Sequence, residues 1–192
     1  ALLDLSRAAR EGDRAAAAAA LATLGERHLA ALDGLGLEPV AAAALREEIG
    51  AERARLEGLA TGVALLGELS ARTSDAILAA GELLSAALLS AALAKRGVAV
   101  ARVDPREWMA TDASHGAAAP DEAAIAANVA RRLLPERAAG RVVVTGGFVG
   151  AAPGGATTTL GRGGSDYSAA LLGAALLDSG APISAIEIWT DV

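Results

Sequence analysis

Apolar positions fall at helical spacing through the first half of the chain and in short blocks afterwards. Leu2 to Glu11 predicts a short helix, broken at Gly12-Asp13. Asp13 is placed to cap a second helix, Arg14 to about Leu32, whose alanine run has the highest helix propensity available. Asp33-Gly34-Leu35-Gly36 ends it. Pro39 suits the first turn of a third helix, to about Leu59, with Gly58 and Gly62 marking a break. Arg46, Glu47, Glu48, Glu52, Arg53 and Arg55 give that helix a solvated face with local charge pairs. A fourth helix is expected from about Ser74 to Arg96. It is apolar almost all round from Leu83 to Leu93 and so should be buried, with a possible bend at Gly81 and a stop at Gly97.

From Val98 the pattern changes. Val98 to Val103, Arg141 to Thr145 and Ile186 to Thr190 read as short apolar strands. Asp121 caps a helix from Glu122 to about Leu134, stopped by Pro135. Tyr167 to Leu177 reads as a buried helix. Ala152-Pro153-Gly154-Gly155 predicts a hairpin turn leading into Thr157-Thr158-Thr159. Thr111 to Pro120 is small and polar and reads as a mobile loop; its His115 reads as a solvated loop histidine rather than a catalytic group. Ser179 to Ser184 is a second loop. Helices that feed strands imply an α/β fold with a mainly parallel central sheet covered by helices on both faces.

Composition narrows the class. The 192 residues suffice for one domain with a sizeable core. Only 2% are aromatic against 53% hydrophobic, so alanine and leucine must fill that core. A net charge of -6 argues against nucleic acid or an anionic membrane as the main partner. The absence of cysteine excludes disulfides and thiolate metal sites. Apolar runs such as Ala15 to Leu24 fall short of the ~18 residues of a spanning helix. With no signal-peptide pattern around Leu2 to Glu11, a cytoplasmic protein is expected.

The chemistry concentrates in Thr157 to Leu172. Threonines favour extended backbone, three glycines then surround Arg162, and Ser165 and Asp166 precede an Ala/Leu helix. Strand, glycine turn and helix N-terminus together make a place to hold an anion. Arg162 adds a planar fork suited to carboxylate or phosphate. The plainer reading is a tight turn, with Ser165 or Asp166 as a cap and Arg162 in a salt bridge to a nearby loop. Glu82 begins the apolar part of the fourth helix, with Ser85 one turn on. It is either a rim residue reaching water or a carboxylate that needs a partner.

The string from Thr157 to Leu172, TTTLGRGGSDYSAALL, closely resembles the signature of aspartokinases in the amino acid kinase family. Gly81-Glu82-Leu83-Leu84-Ser85, Gly146-Gly147-Phe148-Val149-Gly150 and Glu187-Ile188-Trp189-Thr190-Asp191-Val192 agree with it in order. Ala119-Pro120-Asp121 resembles a segment of the lysine-sensitive branch. The resemblance is best from about Ser74 to Val192. It implies transfer of the ATP γ-phosphate to the β-carboxylate of L-aspartate, the first step toward lysine, threonine and methionine. It implies that Glu82 orients the substrate amino group, Arg162 clamps its carboxylate and Ser165 lies beside the transferring group. By the same resemblance Asp166 organises the reacting groups. Gly146, Gly147, Gly163 and Gly164 approach the phosphates, and Thr190 and Asp191 contact the nucleotide. ATP and Mg²⁺ are the implied cofactors, and a homodimer is expected of the full-length enzyme.

Two departures qualify this. The family's lysine-bearing opening strand is not found, and the regulatory ACT domains are not present. The expectation is therefore a partial catalytic domain over residues 1-192, with a mostly helical part at 1-73 and a core at 74-192, inactive by itself. Another amino acid kinase, acting on glutamate or acetylglutamate, remains open, as does a catalytically incomplete binding or assembly module.

Overall fold

The computed structural model describes residues 1–189 and divides into two compact units, Ala1–Gly97 and Val98–Val192. The first is all helical. Helix α1 (Leu2–Arg10) leads into α2 (Arg14–Leu35), which Asp13 caps by accepting the Ala16 N–H at 2.9 Å. Gly36, in the left-handed conformation, closes α2. Helix α3 (Pro39–Leu66) begins at its proline as expected but does not break at Gly58 or Gly62. Each glycine costs a helix about 1 kcal/mol. Leu56, Ala60 and Val63 are buried on the opposite face and carry the helix through to Gly67.

Helix α4 (Ala71–Lys95) starts three residues earlier than its apolar stripe suggests, because Ser70 caps it by accepting the Thr73 N–H. Ile77 and Ala80 join Leu5, Leu21, Leu24 and Leu56 in one core cluster. Leu84 and Ala87 join Leu32, Leu45 and Ile49 in another. Burial on all sides is not observed: Ser85 and Leu89 are exposed. Contrary to expectation, α4 is long and apolar enough to cross a bilayer, with a mean hydropathy of 1.9 over its most apolar window. It nevertheless carries Asp75 and Glu82 inside its span, and carboxylates are costly at membrane depth. Gly81 is small because α1 passes close by; a Cβ there would lie 3.2 Å from Leu2 Cδ1.

The second unit is α/β. Strand β1 (Val100–Arg102) pairs in parallel with β2 (Val142–Val144), Ala101 opposite Val143. A parallel pair requires a crossover. It is made through a single 3₁₀ turn at Pro105–Glu107, helix α5 (Glu122–Arg132), capped by Asp121, and a short α6 (Leu134–Ala138). Pro135 thus opens a new helical turn as well as ending α5, since proline fits a first turn. Strands β3 (Val149–Ala151) and β4 (Thr157–Thr159) form the expected hairpin, with positive φ at Gly154 and Gly155. Helix α7 (Gly164–Asp178) follows and packs with α5 around a core of Val103, Trp108, Met109, Ile125, Val129 and Leu171.

Two expectations fail here. Residues 111–120 are tied down, not loose: Thr111 N–H reaches the Ala151 carbonyl, Asp112 N–H that of Ala119, and Ala118 N–H that of Thr159. Asp112 accepts from the Ser114 and Ala119 N–H groups and the Ser114 hydroxyl. Residues 186–189 form no strand. A strand exists only by pairing, and Ile186 instead lays its side chain against Gly173 of α7, where a Cβ would nearly coincide with it.

Candidate functional site

The second unit gathers most of the candidate residues at the start of α7. Gly161 and Gly163 both hold positive φ, 77° and 75°, which turns the chain sharply off β4. The Gly116 carbonyl of the 111–120 loop lies 3.0 Å from where a Gly161 Cβ would be, so the loop packs directly on this turn. Gly163 is the N-cap, and α7 begins at Gly164, three residues before the predicted Tyr167. Ser165 and Asp166 therefore lie within the first turn and neither caps the helix. The Gly164 N–H is bonded to the Gly161 carbonyl, whereas those of Ser165 and Asp166 meet no acceptor among the described residues. Two open donors and the positive end of the helix dipole thus coincide.

Arg162, Ser165 and Asp166 are all exposed. Arg162 makes no hydrogen bond or ion pair among the described residues, so the salt bridge to a nearby loop is not formed there. The Gly146-Gly147-Phe148 turn after β2 lies against α7. A Cβ on Gly147 would sit 3.1 Å from Ser165 Cα, and one on Gly164 2.8 Å from Phe148 Cδ2. Gly147, Gly163, Gly164 and Ser165 are thus adjacent, and Gly146, next in the turn, is buried. Gly164 owes its identity to packing against Phe148 and Leu160.

The sequence marks Phe148 only as part of a glycine-turn motif and does not single out Ser168. Phe148 has φ 65°, the one non-glycine residue with positive φ among those described. Its N–H is accepted by Ser168 Oγ at 2.8 Å, and that hydroxyl donates to the Gly164 carbonyl at 2.7 Å. The available signal was spacing, since Ser168 lies one helical turn beyond Gly164.

Glu82 stands in the first unit, half-buried on α4. Burial raises its pKa above the ordinary carboxylate value, and no hydrogen bond or ion pair to it is found among the described residues. It is a half-buried carboxylate with no cation beside it among the described residues, an arrangement that suits either a rim residue or a group whose partner is a ligand. Thr190 and Asp191 lie outside the described residues. No cluster of three His, Asp or Glu side chains that could hold a metal occurs among those described. His115 lies in the ordered loop and has an interaction partner.

The chain matches the amino acid kinase family model over residues 4–192. It is 43% identical over 145 residues to lysine-sensitive aspartokinase 3 of Escherichia coli (strain K12), covering 73% of this chain and 31% of that protein. It is 38% identical over 142 residues to an aspartokinase of Pseudomonas aeruginosa, covering 73% and 32%. Its fold superposes on E. coli aspartokinase III, solved in complex with aspartate and ADP, with a TM-score of 0.82 and 37% identity. That match covers 92% of this chain and 38% of the other. The chain thus spans about a third of the length of the relatives it matches.

Proposed function

We propose that this chain, which belongs to the amino acid kinase family, is the substrate-binding part of an aspartate kinase. The observation that carries the reading is the junction of two glycine turns with the first turn of α7, beside Arg162, which has no partner among the described residues. It suits an amino acid with two carboxylates next to a nucleotide. The similarity to proteins named aspartokinase supports aspartate over glutamate or acetylglutamate.

A β-carboxylate oxygen of L-aspartate attacks the γ-phosphorus of ATP. The bond from that phosphorus to the β–γ bridging oxygen breaks, and ADP leaves with the electron pair. The product is 4-phospho-L-aspartate, an acyl phosphate. The attacking carboxylate is already ionised at neutral pH, so no general base is required. Such transfers ask the protein mainly for alignment and charge stabilisation.

Arg162 holds the substrate α-carboxylate with its guanidinium fork. The N–H groups of Ser165 and Asp166 face developing negative charge at the helix terminus. Glu82 is assigned to the substrate ammonium on its motif alone. Gly146, Gly147 and Gly163 let phosphate oxygens approach the backbone, and Asp166 orients the reacting groups. Thr190 and Asp191 are assigned to the nucleotide. No carboxylate cluster that could cage Mg²⁺ occurs among the described residues, and exposed Asp166 is the carboxylate that would lie near an ion brought in with the nucleotide. When bound, it neutralises phosphate charge. We further assign the protein to the cytoplasm and its full-length form to a homodimer.

Hydroxylamine traps acyl phosphates as hydroxamates. The full-length protein with ATP and Mg²⁺ is expected to give hydroxamate from aspartate at least about tenfold faster than from glutamate or acetylglutamate, a margin of about 1.4 kcal/mol. A preference for either competitor would overturn the substrate assignment.

A further inference from the structure

We propose that Ser168 is a positioning residue for phosphoryl transfer: its hydroxyl is a latch that holds the Gly146-Gly147-Phe148 turn in register with the first turn of α7. The inference rests on the aspartate kinase reading.

A serine in a helix commonly donates to the carbonyl four residues back, and alone that bond would mean little. Here the same oxygen also accepts a hydrogen bond from the Phe148 N–H, twenty residues earlier in the chain. The hydroxyl proton goes to the Gly164 carbonyl, which leaves a lone pair for Phe148. Ser168 is 3% exposed, so water cannot readily take its place.

Phe148 needs such a hold. Positive φ is unfavourable for a residue with a Cβ and persists only where the surroundings over-determine it. Its carbonyl accepts from Leu160 N–H at 2.9 Å, its ring packs over Gly164, and its N–H is held by Ser168. The preceding residue, Gly147, abuts Ser165. One hydroxyl therefore sets the spacing between the turn assigned to the phosphates and the residues assigned to the transferring group. Arg162 is held separately, by the Gly161 contact with the 111–120 loop and the Gly164-to-Gly161 hydrogen bond. Losing the latch should disturb phosphate alignment and leave the carboxylate clamp in place.

Removing the hydroxyl leaves the Gly164 carbonyl its helical bond from the Ser168 N–H. The loss falls on Phe148. Ser168→Ala in the full-length protein is expected to lower kcat about 10- to 100-fold, the range for a small misplacement of reacting groups. KM for aspartate should change less than about threefold. Ser168→Thr keeps the oxygen and should retain kcat within about threefold. Rates are taken per folded protein, with folding followed by circular dichroism. An alanine variant with wild-type kcat overturns the proposal. So does a threonine variant as impaired as alanine, or an alanine variant whose KM for aspartate rises as much as kcat falls. A wild-type protein that makes no aspartyl hydroxamate overturns the aspartate kinase reading instead, which separates the two failures.

Discussion

At the scale of single residues, Arg162 and Glu82 make opposite demands on their surroundings. Arg162 is exposed and unpaired among the described residues, so its truncation should leave the fold intact and act on binding. Losing a charge-assisted bidentate contact costs about 1.5–3 kcal/mol, roughly 10- to 150-fold in KM for aspartate. Arg162→Lys should recover only part of this, because an ammonium is a point charge. Steady-state kinetics on the full-length protein decide it; a wild-type KM in the alanine variant would remove the clamp assignment. Glu82 is half-buried, and burial raises its pKa. In the folded state it therefore holds its proton to a higher pH than in the unfolded chain. Its contribution to stability falls as pH rises from the ordinary carboxylate value, about 4.3, through the raised one. Glu82→Gln should flatten that part of the stability-pH curve, leave stability at pH 7 unchanged or higher, and still cost more than tenfold in kcat/KM. Urea melts between pH 4 and 7 beside hydroxamate assays test both halves. A variant with full activity would return Glu82 to the role of a rim residue.

At the scale of elements, hydrophobic period located the helices well because α1, α2, α3 and α5 each bury one stripe and carry their own caps or stops. It misjudged places where a tertiary contact outweighs a local preference. Gly58 and Gly62 look like breakers until Leu56, Ala60 and Val63 are seen to be buried. Ser165 and Asp166 look like caps until Gly163 takes that position. The strand, glycine turn and helix start around Arg162 were legible, since they are contiguous in sequence. The Ser168 bond to Phe148 was not, because it joins elements that no local pattern connects. Nor was the order of residues 111–120, which depends on Asp112 folding the loop onto itself and on bonds to Ala151 and Thr159. Those N–H and hydroxyl donors favour the Asp112 carboxylate and lower its pKa. A lowered folded-state pKa gives stability that is present above the ordinary aspartate value, near 3.9, and lost as pH falls through the lowered one. Asp112→Ala should therefore release the loop at neutral pH. Amide exchange at Ala118 and Ala119 should rise by at least tenfold while the β1–β2 pair stays protected. Unchanged exchange there would mean that the bonds to Ala151 and Thr159 suffice.

At the scale of the whole molecule, charge sets what residues 1–192 can do alone. The chain is net -6, and both ATP and aspartate are anionic. Phosphoryl transfer spreads further charge over the equatorial oxygens, and cationic groups must be aimed at it. The sequence contains one lysine, Lys95. Its ammonium donates to the Leu35 carbonyl at the end of α2, where it completes a helix terminus and is spent as a catalyst. Arg46, Arg106, Arg132 and Arg141 are paired with Asp33, Asp104, Glu107 and Glu136. Arg162 is assigned to the substrate carboxylate. Mg²⁺ on the phosphates would offset part of the remaining charge, and with Lys95 engaged no lysine is left to face the γ-phosphate. Purified residues 1–192 with ATP, Mg²⁺ and aspartate should therefore give no measurable hydroxamate, even though Arg162 and the glycine turns are in place. The segment should still be folded, with helical circular dichroism and a cooperative melt. Robust hydroxamate formation that Arg162→Ala abolishes would show that these residues already hold enough positive charge to be a complete kinase.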